Sequence, residues 1–236
     1  MRRFIDWSRR QRRNNVDGLL RTITSIETFS DDQIVAHGNV LFMSSLEPTA
    51  VTLTWILLIL SQLPQLRRRL REDHEHELID GVINETLRLF TPNALMTRLT
   101  TQPTRLNSFP IPESCEILLS PFLAHREPER FTNPDEFMPE RWLGSKPSPF
   151  VYFPFGGGAH YCAGRSLATH MIKTSLAFLL RRFDLVLSFD QEVDWKIDIV
   201  LLPENDPLMT IRRPAVSSID GGKLIGPARE LIVLKS

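Results

Sequence analysis

Phe155-Gly156-Gly157-Gly158-Ala159-His160-Tyr161-Cys162-Ala163-Gly164 is the segment best suited to chemistry. A thiolate that ligates a metal needs a loop whose backbone can approach a cofactor closely, and glycines permit that. It needs positive potential to keep the sulfur ionised. A helix starting just after Cys162 would supply its N-terminal dipole. It also needs an apolar neighbour against water, and Phe155 is one. The plainer account of a lone cysteine is a buried packing residue beside a turn. The spacing Phe-x-x-Gly-x-x-x-Cys-x-Gly argues against that account. With 14 Phe, 11 Gly and 2 Cys in 236 residues, chance supplies it roughly 3 times in 10,000 such chains.

Glu85-Thr86-Leu87-Arg88 sets an acid and a base one turn apart on one face of a helix. By itself the motif is weak: Glu127 and Arg130 repeat it inside Pro-rich sequence, and an exposed pair of this kind contributes only a few tenths of a kcal/mol. Glu47-Pro48-Thr49 sets a carboxylate and a hydroxyl on either side of a residue with neither a side-chain donor nor an N–H. Glu47 also reads as an ordinary solvated helix carboxylate. Cys115, before a strand, reads as inert packing.

Helices must position these groups. Ser30-Asp31-Asp32 is a helix-start signal, and a long helix is expected over about 33–63, apolar nearly all round and kinked at Pro48. A second helix is expected over about 75–89, with Leu78, Val82, Ile83 and Leu87 inward and Pro92 after its end. Short strands follow at Leu95–Leu99 and Glu116–Ser120, around a Pro110-Ile111-Pro112 turn. Residues 121–155 are Pro-rich and irregular, which in a compact domain signals function. The glycine loop, 155–164, leads into a helix over about 164–182, with Leu167, Met171, Leu176, Leu179, Leu180 and Phe183 on one side. Short strands complete the body of the chain, and Gly221-Gly222 begins a loose stretch of the tail, 215–236. Residues 2–30 read as a polar helix. There are no internal repeats.

Composition limits the possibilities. The chain has 236 residues, 42% of them hydrophobic, enough for one sizeable core or two modest ones. Its 28 basic and 28 acidic residues cancel, which gives no electrostatic reason to expect a nucleic-acid partner. Local runs (Arg2, Arg3, Arg9, Arg10, Arg12, Arg13, and Arg67–Arg71) read as solvated helix faces. Two cysteines are too few for a disulfide framework, so a reducing, cytoplasmic setting is expected. The Arg-rich start has no apolar core of the kind a secretory leader needs. Val51–Leu60, the longest uninterrupted apolar run, is about half a membrane span and reads as a buried helix.

The cysteine segment resembles the haem-binding loop of the cytochrome P-450 family, in which the Cys is the proximal iron ligand. The resemblance covers about residues 30–214 and implies that family's mainly α fold with small β-sheets, present as its C-terminal half. The family's N-terminal half, which closes the other haem face and roofs the substrate pocket, is expected to be missing. An anchor, where members have one, belongs to that half.

The resemblance implies roles residue by residue. Cys162 would ligate the iron of haem b, with Phe155, Gly158 and Gly164 shaping its loop. His160 stands where the family usually has an Arg on a haem propionate, and Arg98 where it has another. Glu85, Arg88 and Arg141 (of Pro139-Glu140-Arg141-Trp142) would form a buried structural network. Ser120-Pro121 through His125-Arg126-Glu127-Pro128 matches a further architectural segment, with Glu127 for the usual Asp.

Ser44-Ser45-Leu46-Glu47-Pro48-Thr49 resembles the oxygen-activating stretch of the central helix. Here Ser45 replaces a Gly and Pro48 replaces the first Thr. Pro48 cannot relay a proton, so Glu47 and Thr49 would have to serve through water.

The implied function is a haem-thiolate monooxygenase-type oxidoreductase that inserts one oxygen atom from dioxygen into a small apolar substrate, inactive as this fragment. Electrons would come from a ferredoxin or flavin reductase, with Arg165, Lys173 and Arg181 as part of a docking face or simply solvated. The alternatives are peroxide-driven oxidation, dehydration or rearrangement by a relative of the family, a degenerate chain without haem, or a non-catalytic haem-binding module.

Overall fold

The computed structural model describes residues 22, 26, 28–73, 75–144, 147–214 and 221–235. The chain divides into two compact units, Met1–Glu47 and Pro48–Ser236. The Arg cluster at Arg2–Arg13 lies outside the described residues, as does nearly all of the helix expected over 2–30.

In the first unit Ser30 opens helix α1 (Asp31–Ser61) with a reciprocal cap. Its N–H donates to Gln33 Oε1 at 2.8 Å, and the Gln33 N–H donates to Ser30 Oγ at 3.3 Å. Asp31 and Asp32 add negative charge at the positive end of the helix. Ile34 is buried among Phe29, Val35 and Leu41. Pro48 lies inside α1 and leaves one rung of the ladder, to the Ser44 carbonyl, unmade. The Thr52 hydroxyl donates to the Pro48 carbonyl at 2.7 Å.

The second unit is built on the C-terminal half of α1, where Trp55, Ile56 and Leu58–Leu60 are all buried. By length and composition α1 as a whole, about three times the length of the Val51–Leu60 run, is long and apolar enough to cross a membrane. Burial of this half in a packed core explains its apolar character. Helix α2 (Pro64–Glu72) starts on Pro64, where a missing N–H costs nothing.

The reading of Arg67–Arg71 as a solvated face fails for two of its arginines. Arg67 is buried, donating from Nη1 to the Leu60 and Ser61 carbonyls at 2.7 and 2.9 Å, with Asp184 3.6 Å from its Nε. Arg71 pairs with the same carboxylate and donates to the Leu180 carbonyl at 2.8 Å. Periodicity cannot reveal a partner that lies more than a hundred residues downstream.

Helix α3 (Glu77–Leu89) buries Leu78, Val82, Ile83 and Leu87 as expected. Strands β1 (Met96–Leu99), β2 (Thr104–Leu106), β3 (Phe109–Ile111) and β4 (Glu116–Leu119) follow. β1 pairs antiparallel with β4, setting Arg98 opposite Ile117, and β2 pairs with β3. The described residues of the Pro-rich stretch hold only short helical turns, α4 (Pro121–Ala124) and a 3₁₀ turn at Pro139–Trp142.

Helix α5 (Arg165–Arg182) turns Ile172, Leu176 and Leu180 inward. Leu167 and Met171, expected on that side, are exposed, because its first turns run past the core beside the cysteine loop. β5 (Asp184–Leu187), β6 (Gln191–Glu192), β7 (Trp195–Ile197), β8 (Leu201–Pro203) and β9 (Met209–Arg212) complete the body. β5 pairs antiparallel with β9, and β7 with β8.

The stretch from Gly221 is not loose. Residues 221–235 form β10 (Leu224–Ile225), parallel to β6, and a turn of helix α6 (Pro227–Glu230), and they bury Leu224, Ala228 and Ile232. The described architecture is thus helices with small two-stranded sheets, the mainly α class that was expected.

Candidate haem-binding site and its brace

The cysteine loop is held by its own backbone. The Cys162 N–H donates to the Phe155 carbonyl at 2.9 Å, and the Gly156 N–H to the Phe153 carbonyl at 2.9 Å. Gly156 and Gly158 adopt φ of +72° and +64°, a region costly for side chains with a Cβ. Residues Gly158–His160 make a 3₁₀ turn, closed by the Tyr161 N–H on the Gly158 carbonyl at 3.2 Å. Gly164 is the N-cap of α5, and the Cys162 carbonyl accepts from the Arg165 N–H at 3.4 Å.

Cys162 is therefore presented at the positive end of an 18-residue helix. Its thiol is free and exposed. Around it, Tyr161, Leu167 and Met171 are exposed apolar side chains, while Phe155 packs against the main core. Side chains added at Gly157 or Gly158 would meet nothing within 4 Å, so open space lies over that stretch of loop. Among the described residues no group of three or more His, Cys, Asp or Glu could hold a metal ion by itself. The loop fits a flat, largely apolar metal macrocycle that needs one protein sulfur, and does not fit a bare ion.

Two other predicted groups lie on or beside the loop. His160 is exposed within it. Arg98 sits on β1, where its Nη1 donates to the Thr97 carbonyl at 2.8 Å and no carboxylate among the described residues pairs with it. Two residues away on the same face of that strand, the Met96 sulfur lies 3.9 Å from where a Gly156 Cβ would be. The β1 face carrying Arg98 thus abuts the loop. Glu47 and Thr49 lie on α1, flanking Pro48; Glu47 ends the first unit and Thr49 belongs to the second. Cys115 is half-buried, and its backbone N–H and carbonyl are both bonded to Thr100.

Behind the loop is a brace of buried charge. Glu85 and Arg88 are both fully buried. Arg88 grips Glu85 with two bonds of 2.9 Å, from Nε to Oε2 and from Nη2 to Oε1. The carboxylate also accepts from Arg141 Nε at 3.0 Å, the Met138 N–H at 2.9 Å and Trp142 Nε1 at 2.9 Å. The remaining Arg88 donors reach the carbonyls of His125 (2.9 Å), Pro134 (2.6 Å) and Glu136 (3.1 Å). Arg141 Nη1 donates to the Thr132 carbonyl at 3.0 Å. The expected Glu85–Arg88–Arg141 network is thus present, and it clamps the irregular stretch by its carbonyls. Gly81 lets α3 approach that stretch: a Cβ there would come within 2.7 Å of the Pro139 carbonyl oxygen.

His125 links brace to loop, a role the sequence did not disclose. It is fully buried, and its Nε2 accepts the Phe153 N–H at 3.0 Å, two residues before Phe155. Its Nδ1 is buried without a partner. Burial above all pushes the imidazole down to about 4, opposed by the Arg88 backbone and aided by the charges of Arg88 and Arg126. It is held neutral, as an acceptor at Nε2 must be. Tyr152, raised well above its ordinary value by burial and then by the Glu85 charge, donates to the Asn84 carbonyl at 3.0 Å. The only signal for His125 in the sequence was its place in the Pro121–Pro128 segment. Trp142 gave none as a donor.

A mainly helical chain that presents one free cysteine at a helix start, from a loop clamped by a buried Glu-Arg-Arg brace, defines a specific class of site. The family model for cytochrome P450 matches residues 2–210. The chain belongs to the cytochrome P450 family, whose members are of the haem-thiolate monooxygenase type.

It is 28% identical to cytochrome P450 3A6 of Oryctolagus cuniculus, over 75% of this chain and 39% of that protein. It is 34% identical to cyclooctatin synthase of Streptomyces melanosporofaciens, over 58% and 34% respectively. With putative cytochrome P450 137 of Mycobacterium tuberculosis it shares 30%, over 79% and 40%. The chain spans about two-fifths of the length of the curated relatives it matches.

Proposed function

We propose that this chain carries the haem-ligating part of a cytochrome P450 monooxygenase, with Cys162 as the iron ligand. The observation that carries the reading is the free, exposed Cys162 thiol at the start of α5, on a loop with two positive-φ glycines.

When bound, haem b would supply the binding and reductive cleavage of dioxygen, favoured by thiolate donation. The chain's own residues do the rest. Cys162 Sγ is the metal ligand, and Gly158 and Gly164 keep the backbone around it free of side chains. Phe155 covers the sulfur's approach from the core side and excludes water. His160 and Arg98 supply positive charge for the two propionates, Arg98 in full and His160 only when protonated. Glu47 and Thr49 each offer α1 a group that can hold a proton-bearing water, where Pro48 has no hydroxyl to do so.

The missing hydroxyl at Pro48 supports a second reading for the parent reaction: peroxide-driven oxidation, or dehydration or rearrangement, none of which needs a proton relayed to dioxygen. The substrate is a small apolar molecule and the electron donor a ferredoxin or flavin reductase, in a cytoplasmic setting. The polypeptide that corresponds to the family's remaining length completes the pocket, and these residues alone do not turn over.

Reconstitution with haem, reduction and addition of carbon monoxide tests the reading. Parent chain should give the strongly red-shifted main band of a thiolate-ligated ferrous complex. Cys162→Ser should lose it. A Ser variant that keeps the band would move the ligand elsewhere.

A further inference from the structure

The family match ends at residue 210, yet residues 221–235 are seated on the second unit, with Leu224, Ala228 and Ile232 buried. We propose that they form a C-terminal clasp, a tethered peptide that binds a groove of its own chain and fixes the irregular segment from which the Glu85–Arg88–Arg141 brace takes its carbonyls. The proposal is independent of haem.

The groove recognises the clasp as a sheet edge recognises an added strand. β10 lies parallel to β6, and the Gln191 and Val193 N–H groups donate to the Lys223 and Ile225 carbonyls at 2.9 and 3.0 Å. Gln62 reads the clasp backbone from α1's end: its Nε2 donates to the Gly222 carbonyl at 3.1 Å, and its Oε1 accepts the Leu224 N–H at 2.9 Å. Leu224, Ala228 and Ile232, at intervals of four, are buried in the main core. The two glycines are required by contact. A Cβ on Gly221 would come within 2.6 Å of the Val186 Cβ, and one on Gly222 would collide with the Phe189 carbonyl.

The far end of the clasp grips the irregular segment. The Phe137 N–H donates to the Val233 carbonyl at 3.0 Å, and the Val233 N–H to the Asp135 carbonyl at 2.7 Å. Lys235 pairs with Glu136 at 2.6 Å. Arg126, which faces Asp135 at 3.5 Å, donates to the Leu231 carbonyl at 3.4 Å. Glu136 is also the residue whose carbonyl accepts from Arg88. The clasp therefore holds the 135–137 backbone from outside while the brace holds it from inside.

Hydrogen–deuterium exchange on the full chain tests this, in the parent, Gly222→Ala, Ile232→Ala and the surface control Lys223→Gln. Both clasp variants should speed exchange of the Phe137, Gln191, Val193 and Val233 amides by about tenfold or more, and leave the α1 amides of Ile56–Leu60 at parent rates. Lys223→Gln should match the parent. Should Gly222→Ala fail to fold, Ile232→Ala alone decides. Unchanged protection at Phe137 and Val193 in the clasp variants would overturn the proposal. So would an equal loss of protection in Ile56–Leu60, which would make residues 221–235 an inseparable part of the core.

Discussion

The brace and the cysteine loop are linked through His125 and are built on opposite principles. In the brace every strong donor of Arg88 and both oxygens of Glu85 find partners within the polypeptide, and both residues are fully buried. In the loop the backbone is pinned by the Gly156, Tyr161 and Cys162 N–H groups, and several side chains other than Phe155 face outward. The thiol of Cys162 is free, His160 is exposed, and Tyr161, Leu167 and Met171 expose apolar surface. A self-satisfied charge cluster stabilises a fold, whereas a rigid loop with unused ligating and apolar groups is made for something outside the chain.

That contrast can be broken or sharpened by experiment. Glu85→Ala should have the largest effect. It leaves the Arg88 guanidinium buried without its countercharge and frees the Arg141, Met138 and Trp142 donors. A loss of about 3–5 kcal/mol is expected in urea unfolding, much of the stability of a typical domain. A Glu85→Ala chain as stable as the parent would remove the distinction between the two regions.

Acid should come next. His125 takes up a proton near pH 4 when folded, against 6.5 for its ordinary value. Between those values the unfolded chain binds the extra proton. Stability is therefore complete above about pH 6.5 and falls by about 3 kcal/mol as pH drops toward 4. His125→Phe, compared with the parent over that window by urea unfolding, should flatten the slope. An unaltered slope would put the acid sensitivity elsewhere.

Trp142→Phe removes one neutral N–H from a carboxylate that keeps its other donors, and should cost about 1.5–3 kcal/mol. Cys162→Ser should change stability by less than about 0.5 kcal/mol, because the thiol is exposed, while abolishing the thiolate band. A large loss of stability in that variant would mean the sulfur is part of the packing after all.

How much was legible in advance can be traced through single residues. The cysteine loop and the start of α5 were legible because their signal is local: glycines, a cysteine and a helix start within ten residues. Ser30 was legible as a cap for the same reason. Leu78, Val82, Ile83 and Leu87 followed from helical periodicity. The role of Arg141 was reached through family resemblance, since nothing local says that an Arg in Pro-Glu-Arg-Trp reaches a carboxylate 56 residues earlier.

Arg67 and Arg71 were misread because a basic run on a short helix looks the same whether water or Asp184 faces it. Gly221 and Gly222 were misread because a glycine pair can mean freedom or close contact, and only the neighbouring backbone distinguishes them.

The amino-acid sequence by itself determined which groups this protein can offer: one thiol on a glycine loop, a helix to polarise it, and a long apolar helix that carries Pro48. Tertiary structure alone decided which of the charged groups are buried. It set Glu85 among three donors from residues 138–142, made His125 an acceptor for Phe153, and seated the last residues on the segment they brace. The reason is physical. Propensity and periodicity act over a few residues, whereas the energy of a charge or a glycine depends on what the fold brings against it from far along the chain.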